Sequence, residues 1–231
     1  MTTDRATLAP AVRGVLFDLD GTLLDSAPDL GAAANRMRTA RGLPALPLAE
    51  YRSSAGAGAR GMLAVALGAM PHSDNYVALC EEFFAAYQSG LTDDTHPFDG
   101  IAPLIDALLQ RGTPWGVVTN KAMRFTDPLV RSLPLFASAA AVVSGDTTPH
   151  AKPHPEPLFE AARRLAIGAA ECVYIGDDQR DITAGRAAGM RTVAAAYGYL
   201  TSPTDADGWG ADAVVHSTAD LLRHLKWLGA A

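Results

Sequence analysis

The chain has little of what would build a disulfide framework or a membrane span. Only two of its 231 residues are cysteines, Cys80 and Cys172, which is too few for a disulfide scaffold or a cysteine-rich metal cluster and fits a reducing compartment. No segment approaches the ~20 apolar residues of a membrane-spanning helix, and the N-terminal residues lack the apolar run of a signal sequence. We therefore expect a soluble, cytoplasmic protein without a membrane partner.

Basic charge is also scarce. The formal net charge is -6, whereas binding to a nucleic acid needs a basic face, so we expect no nucleic-acid partner. The six histidines show no spacing typical of zinc ligands. Hydrophobic residues make up 48% of the chain, which is enough for an ordinary globular core. Nothing in the sequence indicates an oligomeric state.

The order of the predicted elements indicates an α/β fold with an insertion. An apolar strand is predicted at residues 12–19, and strands alternate with helices from residue 101 onward, which is typical of a parallel sheet covered by helices. Between them, residues 26–97 have apolar residues at helical spacing and no strand-like stretch. We predict a Rossmann-like parallel sheet core with helices on both faces at residues 1–25 and 98–231. Residues 26–97 would form an inserted α-helical cap domain.

Polar side chains follow the predicted strands where a parallel sheet binds its ligands, beyond the carboxyl ends. The first strand ends in Asp18 and Asp20, and Asp177, Asp178 and Asp181 follow the end of a later one. These carboxylates would converge at one edge of the sheet, and carboxylates that lie close together resist ionisation unless a cation is present. Mg²⁺ prefers oxygen ligands and commonly uses one or two carboxylates together with substrate phosphate. The sequence therefore predicts a Mg²⁺ site and a small phosphorylated metabolite as substrate.

Four segments in order resemble the motifs of haloacid dehalogenase superfamily phosphatases. They are residues 17–23 (FDLDGTL), 118–120 (VTN), 152–153 (KP) and 176–181 (GDDQRD). The resemblance spans the predicted core. It implies a phosphoric monoester hydrolase that works through an aspartyl-phosphate intermediate.

The resemblance also implies roles for individual residues. Asp18 would be the nucleophile and Asp20 the general acid and base. Mg²⁺ would be held by the Asp18 carboxylate, the backbone carbonyl of Asp20, and Asp177. Thr119 and Lys152 would orient and stabilise the transferring phosphoryl group. Because dehalogenases of this superfamily lack the second aspartate, Asp20 favours a phosphatase.

Other residues have less specific predicted roles. Asn120 is predicted to bind substrate beside Thr119. Asp178 or Asp181 would support the metal, although Asp178 could equally favour the N-terminus of the following helix. Arg60 follows a glycine-rich loop and is predicted to bind a substrate carboxylate with its planar guanidinium.

The predicted insertion resembles the helical cap of the phosphoglycolate phosphatase branch, close to bacterial N-acetylmuramic acid 6-phosphate phosphatases. The resemblance therefore leaves 2-phosphoglycolate and a sugar phosphate such as N-acetylmuramic acid 6-phosphate as candidate substrates. Two alternatives stay open: a sugar phosphomutase on the same core residues, and a binding module that has lost catalysis.

Overall fold

The core of the protein is a parallel sheet with β1 near its middle. A computed structural model describes residues 11–227, 229 and 230. Its strands are β1 (Gly14–Phe17), β2 (Leu24–Asp25), β3 (His96–Pro97), β4 (Trp115–Val118), β5 (Ala141–Val143), β6 (Cys172–Gly176), β7 (Arg191–Ala195) and β8 (Ala213–Val215). Six of these strands pair in parallel in the order β5–β4–β1–β6–β7–β8. This order places the carboxyl ends of β4, β1 and β6 side by side.

Helices cover both faces of the sheet. The helices of the described residues are α1 (Ala27–Ala40), α2 (Leu48–Arg52), α3 (Gly58–Leu67), α4 (Tyr76–Gln88), α5 (Ile101–Gln110), α6 (Met123–Ser132), α7 (Glu156–Leu165), α8 (Gln179–Ala187) and α9 (Thr218–Trp227). Phe17 packs in the apolar cluster that contains Leu104 of α5, whereas its neighbour Leu16 packs in the cluster that contains Leu158 of α7. Successive strand residues point to opposite faces, so both faces are buried and the predicted α/β fold class is confirmed.

Helices α1 to α4 occupy the segment between β2 and β3 and pack on one another. Their shared apolar cluster also takes in Phe125 and Leu129 of α6, and Tyr199, so this segment is anchored to the rest of the chain. The prediction that residues 26–97 contain no strand is wrong, because His96–Pro97 pairs antiparallel with Leu24–Asp25. A two-residue strand is too short to show the alternating pattern that identifies strands in a sequence.

Candidate active site

Three carboxylates meet at the carboxyl edge of the sheet. Asp18 directly follows β1 and Asp177 directly follows β6, and these two strands are paired neighbours. Asp181 lies on the first turn of α8. One oxygen atom from each of these three side chains lies within 4.8 Å of the other two. The sheet order thus brings together residues that are far apart in the sequence.

Lys152 lies among these carboxylates and is itself buried. Its Nζ atom is 2.8 Å from Oδ1 of Asp18 and 2.7 Å from Oδ1 of Asp181, and it donates to the carbonyl of Val118 and the hydroxyl of Tyr174. Burial alone would lower the pKa of Lys152, but the two carboxylates outweigh burial and raise the pKa above its ordinary value. The lysine therefore stays charged.

One lysine does not balance three carboxylates. Burial is the main cause that raises the pKa of Asp18 to about 7, although the Lys152 ammonium opposes it. Burial and then the neighbouring Asp18 and Asp181 raise the pKa of Asp177 well above its ordinary value. Each shift records the free-energy cost of an ionised carboxylate at this position. A cation would remove that cost.

Asp177 is held in one orientation by its surroundings. Its Oδ1 accepts from the Thr22 hydroxyl at 2.9 Å, and its Oδ2 accepts from the backbone N–H of Tyr199 at 2.8 Å. A Cβ atom on Gly198 would lie 2.4 Å from the Cβ of Asp177, and a Cβ on Gly21 would lie 2.1 Å from its Oδ2. Only glycine fits at both positions, so the backbone itself fixes this carboxylate.

Asp20 belongs to a separate pair beside the carboxylate cluster. Lys121 Nζ lies 3.0 Å from each of its carboxylate oxygens, and the Ser26 hydroxyl donates to Oδ1 at 2.5 Å. The Lys121 ammonium also lies 4.8 Å from the ring centroid of Tyr87 on α4. The side chain of Asp20 is therefore outside the metal-type cluster, and its predicted role as a ligand concerns only its backbone carbonyl.

The structure separates the environments of Asp178 and Asp181. Asp178 caps α8 by accepting from the backbone N–H of Arg180 at 2.8 Å, and both of its oxygens also pair with the Arg180 guanidinium. Asp181 lies in the carboxylate cluster, while its Oδ2 accepts from the backbone N–H of Asp178 at 3.0 Å. Of Asp178 and Asp181, which were both candidates to support the metal, Asp181 lies next to the candidate metal site.

Thr119 and Asn120 follow β4 and line the same cavity as Asp18. Thr119 is buried, and its hydroxyl accepts from the backbone N–H of Lys121 at 3.1 Å. The Asn120 amide group donates to the carbonyl of Lys152 at 2.8 Å and accepts from the Lys152 N–H at 2.9 Å. Asn120 therefore holds the loop that carries Lys152 in place.

A cavity of about 290 Å³ opens above these residues, between the sheet edge and the helical segment. Its walls include Gly56, Gly58 at the start of α3, and the aromatic rings of Phe84 and Phe125. Arg60, the predicted carboxylate ligand, is exposed and is not part of the cavity lining described by the structure. Arg124 and Arg180 line the cavity instead.

The donor set fits a hard divalent cation. Asp18, Asp177 and Asp181 offer carboxylate oxygens at one point, and Mg²⁺ and Ca²⁺ both take oxygen ligands. No cysteine or histidine belongs to this cluster of described residues, which disfavours the softer transition metals. The pKa values of Asp18 and Asp177 are raised, and a cation bound beside them would offset the cost of ionising both carboxylates.

Lys121 and Tyr199 shape the site, although the sequence predicts no site role for either. Lys121 pairs with Asp20, and its position directly after Thr119 and Asn120 was the available signal. The Tyr199 hydroxyl accepts from the backbone N–H groups of Ser26 at 2.6 Å and Ala27 at 2.9 Å, where α1 begins. No sequence spacing indicates this contact, because Tyr199 lies more than 170 positions from its partners.

The fold and site are those of an α/β enzyme with an acidic centre at the carboxyl edge of its sheet. More specifically, the chain belongs to the haloacid dehalogenase-like hydrolase family, whose model matches residues 15–195. The predicted family and the prediction of an enzyme are thereby confirmed.

Named relatives cover nearly the whole chain. It is 43% identical to a phosphoglycolate phosphatase of Xanthomonas campestris pv. campestris, over 93% of this chain and 97% of the relative. It is 41% identical to an N-acetylmuramic acid 6-phosphate phosphatase of Pseudomonas putida, over 92% of this chain and 95% of the relative. The fold is similar to that of a family hydrolase from Deinococcus radiodurans, crystallised with bound phosphate and sodium, with a TM-score of 0.71, 25% identity, and coverage of 96% and 98% of the two chains.

Among the described residues, no helix combines the length and apolar character that a membrane span requires.

Proposed function

We propose that this chain is a Mg²⁺-dependent phosphatase that hydrolyses small phosphate monoesters through a phosphorylated Asp18. The observation that carries the proposal is the juxtaposition of Asp18, Asp177 and Asp181 around Lys152 at the floor of one cavity. The names of the two relatives support the reaction class, because both act on phosphate monoesters.

In the proposed first step, the Asp18 carboxylate attacks phosphorus and the bond from phosphorus to the departing oxygen breaks. Lys152 contacts Asp18 at 2.8 Å, close enough to stabilise a phosphoryl oxygen carried by that residue. A bound Mg²⁺ would be held by Asp18, Asp177 and the Asp20 carbonyl, and would neutralise the repulsion between the phosphate and the carboxylates. Positioning and charge stabilisation supply most of the catalysis in such transfers.

Asp20 is the proposed proton carrier. It would give a proton to the departing alcohol in the first step, and would take one from the water that attacks the aspartyl-phosphate in the second. Its carboxylate is held by Lys121 and Ser26 and lines the cavity beside Asp18. This arrangement supports separate roles for the two aspartates.

Residues 26–97 are proposed to act as a cap over this chemistry. Arg180 donates to the carbonyl of Gly56 at 2.7 Å, and Tyr87 of α4 covers Lys121, so the helical segment contacts residues of the site directly. A cap in this position would keep bulk water away from the phosphorylated aspartate.

The test is turnover of phosphate monoesters by the purified protein. We expect inorganic phosphate to be released from 2-phosphoglycolate or N-acetylmuramic acid 6-phosphate with Mg²⁺, and Asp18→Asn to lower kcat by at least about 10³-fold. Asp207→Asn is a matched control, since Asp207 is exposed and is not part of the cavity lining. Full activity after chelation, or in Asp18→Asn, would contradict the proposal.

A further inference from the structure

Four cationic side chains line the cavity among the residues that the structure describes. Lys121, Lys152 and Arg180 are each paired with an aspartate of the site. The fourth, Arg124, forms no ion pair and donates no hydrogen bond to the described part of the chain. Arg124 is therefore the one cation of this described lining whose N–H donors are not already used by protein groups.

Arg124 is nevertheless held in place. Its guanidinium carbon lies 4.6 Å from the ring centroid of Phe84 on α4 and 4.7 Å from that of Phe125 on α6. The two rings are themselves in contact, with centroids 5.4 Å apart. Stacking uses the flat faces of a guanidinium and leaves its N–H edges free to donate. The aromatic rings thus position the donors without satisfying them.

The backbone around Arg124 is also fixed. Helix α6 begins directly after the loop that carries Thr119 and Lys121, and the N–H of Met123 donates to Asp146 at 2.8 Å. Asp18 and Arg124 line one cavity of about 290 Å³, near the lower end of the ~300–1,000 Å³ typical of ligand pockets. A small molecule that fills it can contact both.

We infer that Arg124 binds a carboxylate of the substrate, so that the enzyme selects phosphate monoesters that are also carboxylic acids. The inference rests on the proposed function, which places the phosphoryl end at Asp18 and Lys152. The planar fork of a guanidinium matches a carboxylate with two parallel hydrogen bonds. The substrates named for the two relatives, phosphoglycolate and N-acetylmuramic acid 6-phosphate, are both carboxylic acids.

The inference is tested with pairs of esters that differ in the acid group. One pair is 2-phosphoglycolate and 2-hydroxyethyl phosphate, and the other is N-acetylmuramic acid 6-phosphate and N-acetylglucosamine 6-phosphate. In at least one pair, the native enzyme should have the higher kcat/KM for the acid. Arg124→Gln should reduce the ratio of kcat/KM for the acid to that for its partner by about tenfold or more. Arg124→Lys should give an intermediate ratio, because lysine keeps the charge but not the fork.

Arg131→Gln is the matched control, since Arg131 is on the same helix but is highly exposed and pairs with Asp127; its ratio should equal that of the native enzyme. The inference is overturned if the native enzyme prefers neither acid over its partner, or if Arg124→Gln leaves the ratio of the two kcat/KM values unchanged. In either case, release of inorganic phosphate from the esters still supports the proposed function. If no ester is turned over, the proposed function fails. In that case the inference about Arg124 is tested by the dissociation constant of 2-phosphoglycolate. Equal dissociation constants for the native protein and a folded Arg124→Gln variant overturn the inference.

Discussion

The ammonium of Lys152 lies 2.8 Å from the carboxylate of Asp18, and both groups are largely removed from solvent. The same ammonium lies 2.7 Å from Asp181, so one positive charge serves two carboxylates while Asp177 lies beside them. An excess of negative charge therefore remains at this point. That excess underlies each prediction about metal binding and stability below.

Removing Lys152 should destabilise the metal-free protein. Lys152→Met leaves Asp18 and Asp181 buried without their cation, and breaking a buried pair commonly costs about 3–5 kcal/mol. We expect the free energy of unfolding in urea, measured with a chelator present, to fall by about 3 kcal/mol. Lys226→Met is the control, because Lys226 is exposed on α9. A Lys152→Met variant as stable as the native protein would show that the lysine does not balance this cluster.

The stability of the metal-free protein should depend on pH in a defined direction. The folded pKa of Asp18 is raised to about 7, above the value of about 4 expected in the unfolded chain. The associated stability is present below about pH 4 and is lost as the pH rises through about 7. We therefore expect Mg²⁺, which binds the ionised form, to raise the Tm more at about pH 8 than at about pH 5.

This pH dependence can be traced to the site by comparison. Asp18→Asn removes the titrating carboxylate, so the Mg²⁺-induced rise in Tm should become smaller and less dependent on pH. The Tm is also measured with K⁺ in place of Mg²⁺ at equal ionic strength, which separates binding of Mg²⁺ to the site from general screening of surface charges. Equal Mg²⁺-induced shifts at both pH values in the native protein would count against a cation held by these carboxylates.

Glycine at position 198 should be necessary for metal binding. A Cβ there would lie 2.4 Å from both the Cβ of Asp177 and the carbonyl oxygen of Gly21, so we expect Gly198→Ala to displace Asp177. We expect a loss of about 1–3 kcal/mol in the free energy of unfolding and about a tenfold higher Mg²⁺ concentration for half-maximal activity. Gly208→Ala is the matched control, because nothing lies within 4 Å of its added Cβ.

The result that would contradict this account of Gly198 is a Gly198→Ala variant with the native Mg²⁺ requirement. A variant that loses stability but keeps that requirement would show that the backbone adjusts around Asp177 without moving it. Activity measured across a Mg²⁺ titration distinguishes the two effects, since a lower maximum and a higher midpoint are independent readouts.

Much of the core fold could be predicted because its elements have strong local patterns. Strand β1, Gly14–Phe17, lies within the strand predicted at residues 12–19, and helix α5 begins at Ile101, where the predicted alternation of strands and helices starts. The short helix α2 was not predicted, since five residues show no clear periodicity. Strand β3 was missed for the same reason. Local pattern is thus sufficient for long elements and insufficient for those that form only through tertiary contacts.

The candidate site was predictable to the extent that it follows from strand order. Asp18 and Asp177 follow adjacent parallel strands, and a sequence alone can indicate that such ends converge. The positions of the guanidinium groups were not predictable in this way. Arg60, predicted to bind substrate, is exposed and is not part of the cavity lining, whereas Arg124 lines the cavity and lies against two aromatic rings. The direction of a long side chain depends on neighbours that the sequence does not reveal.

The most direct test of the central claim is chemical trapping of the phosphorylated nucleophile. Borohydride reduces an acyl phosphate to an alcohol and releases phosphate, so it converts a phosphorylated aspartate to homoserine. When the enzyme is quenched during turnover and reduced, peptide mass spectrometry should find homoserine at position 18, and only when substrate and Mg²⁺ are both present. Sustained phosphate release with unmodified Asp18 after reduction, or with homoserine at another aspartate, would contradict the account.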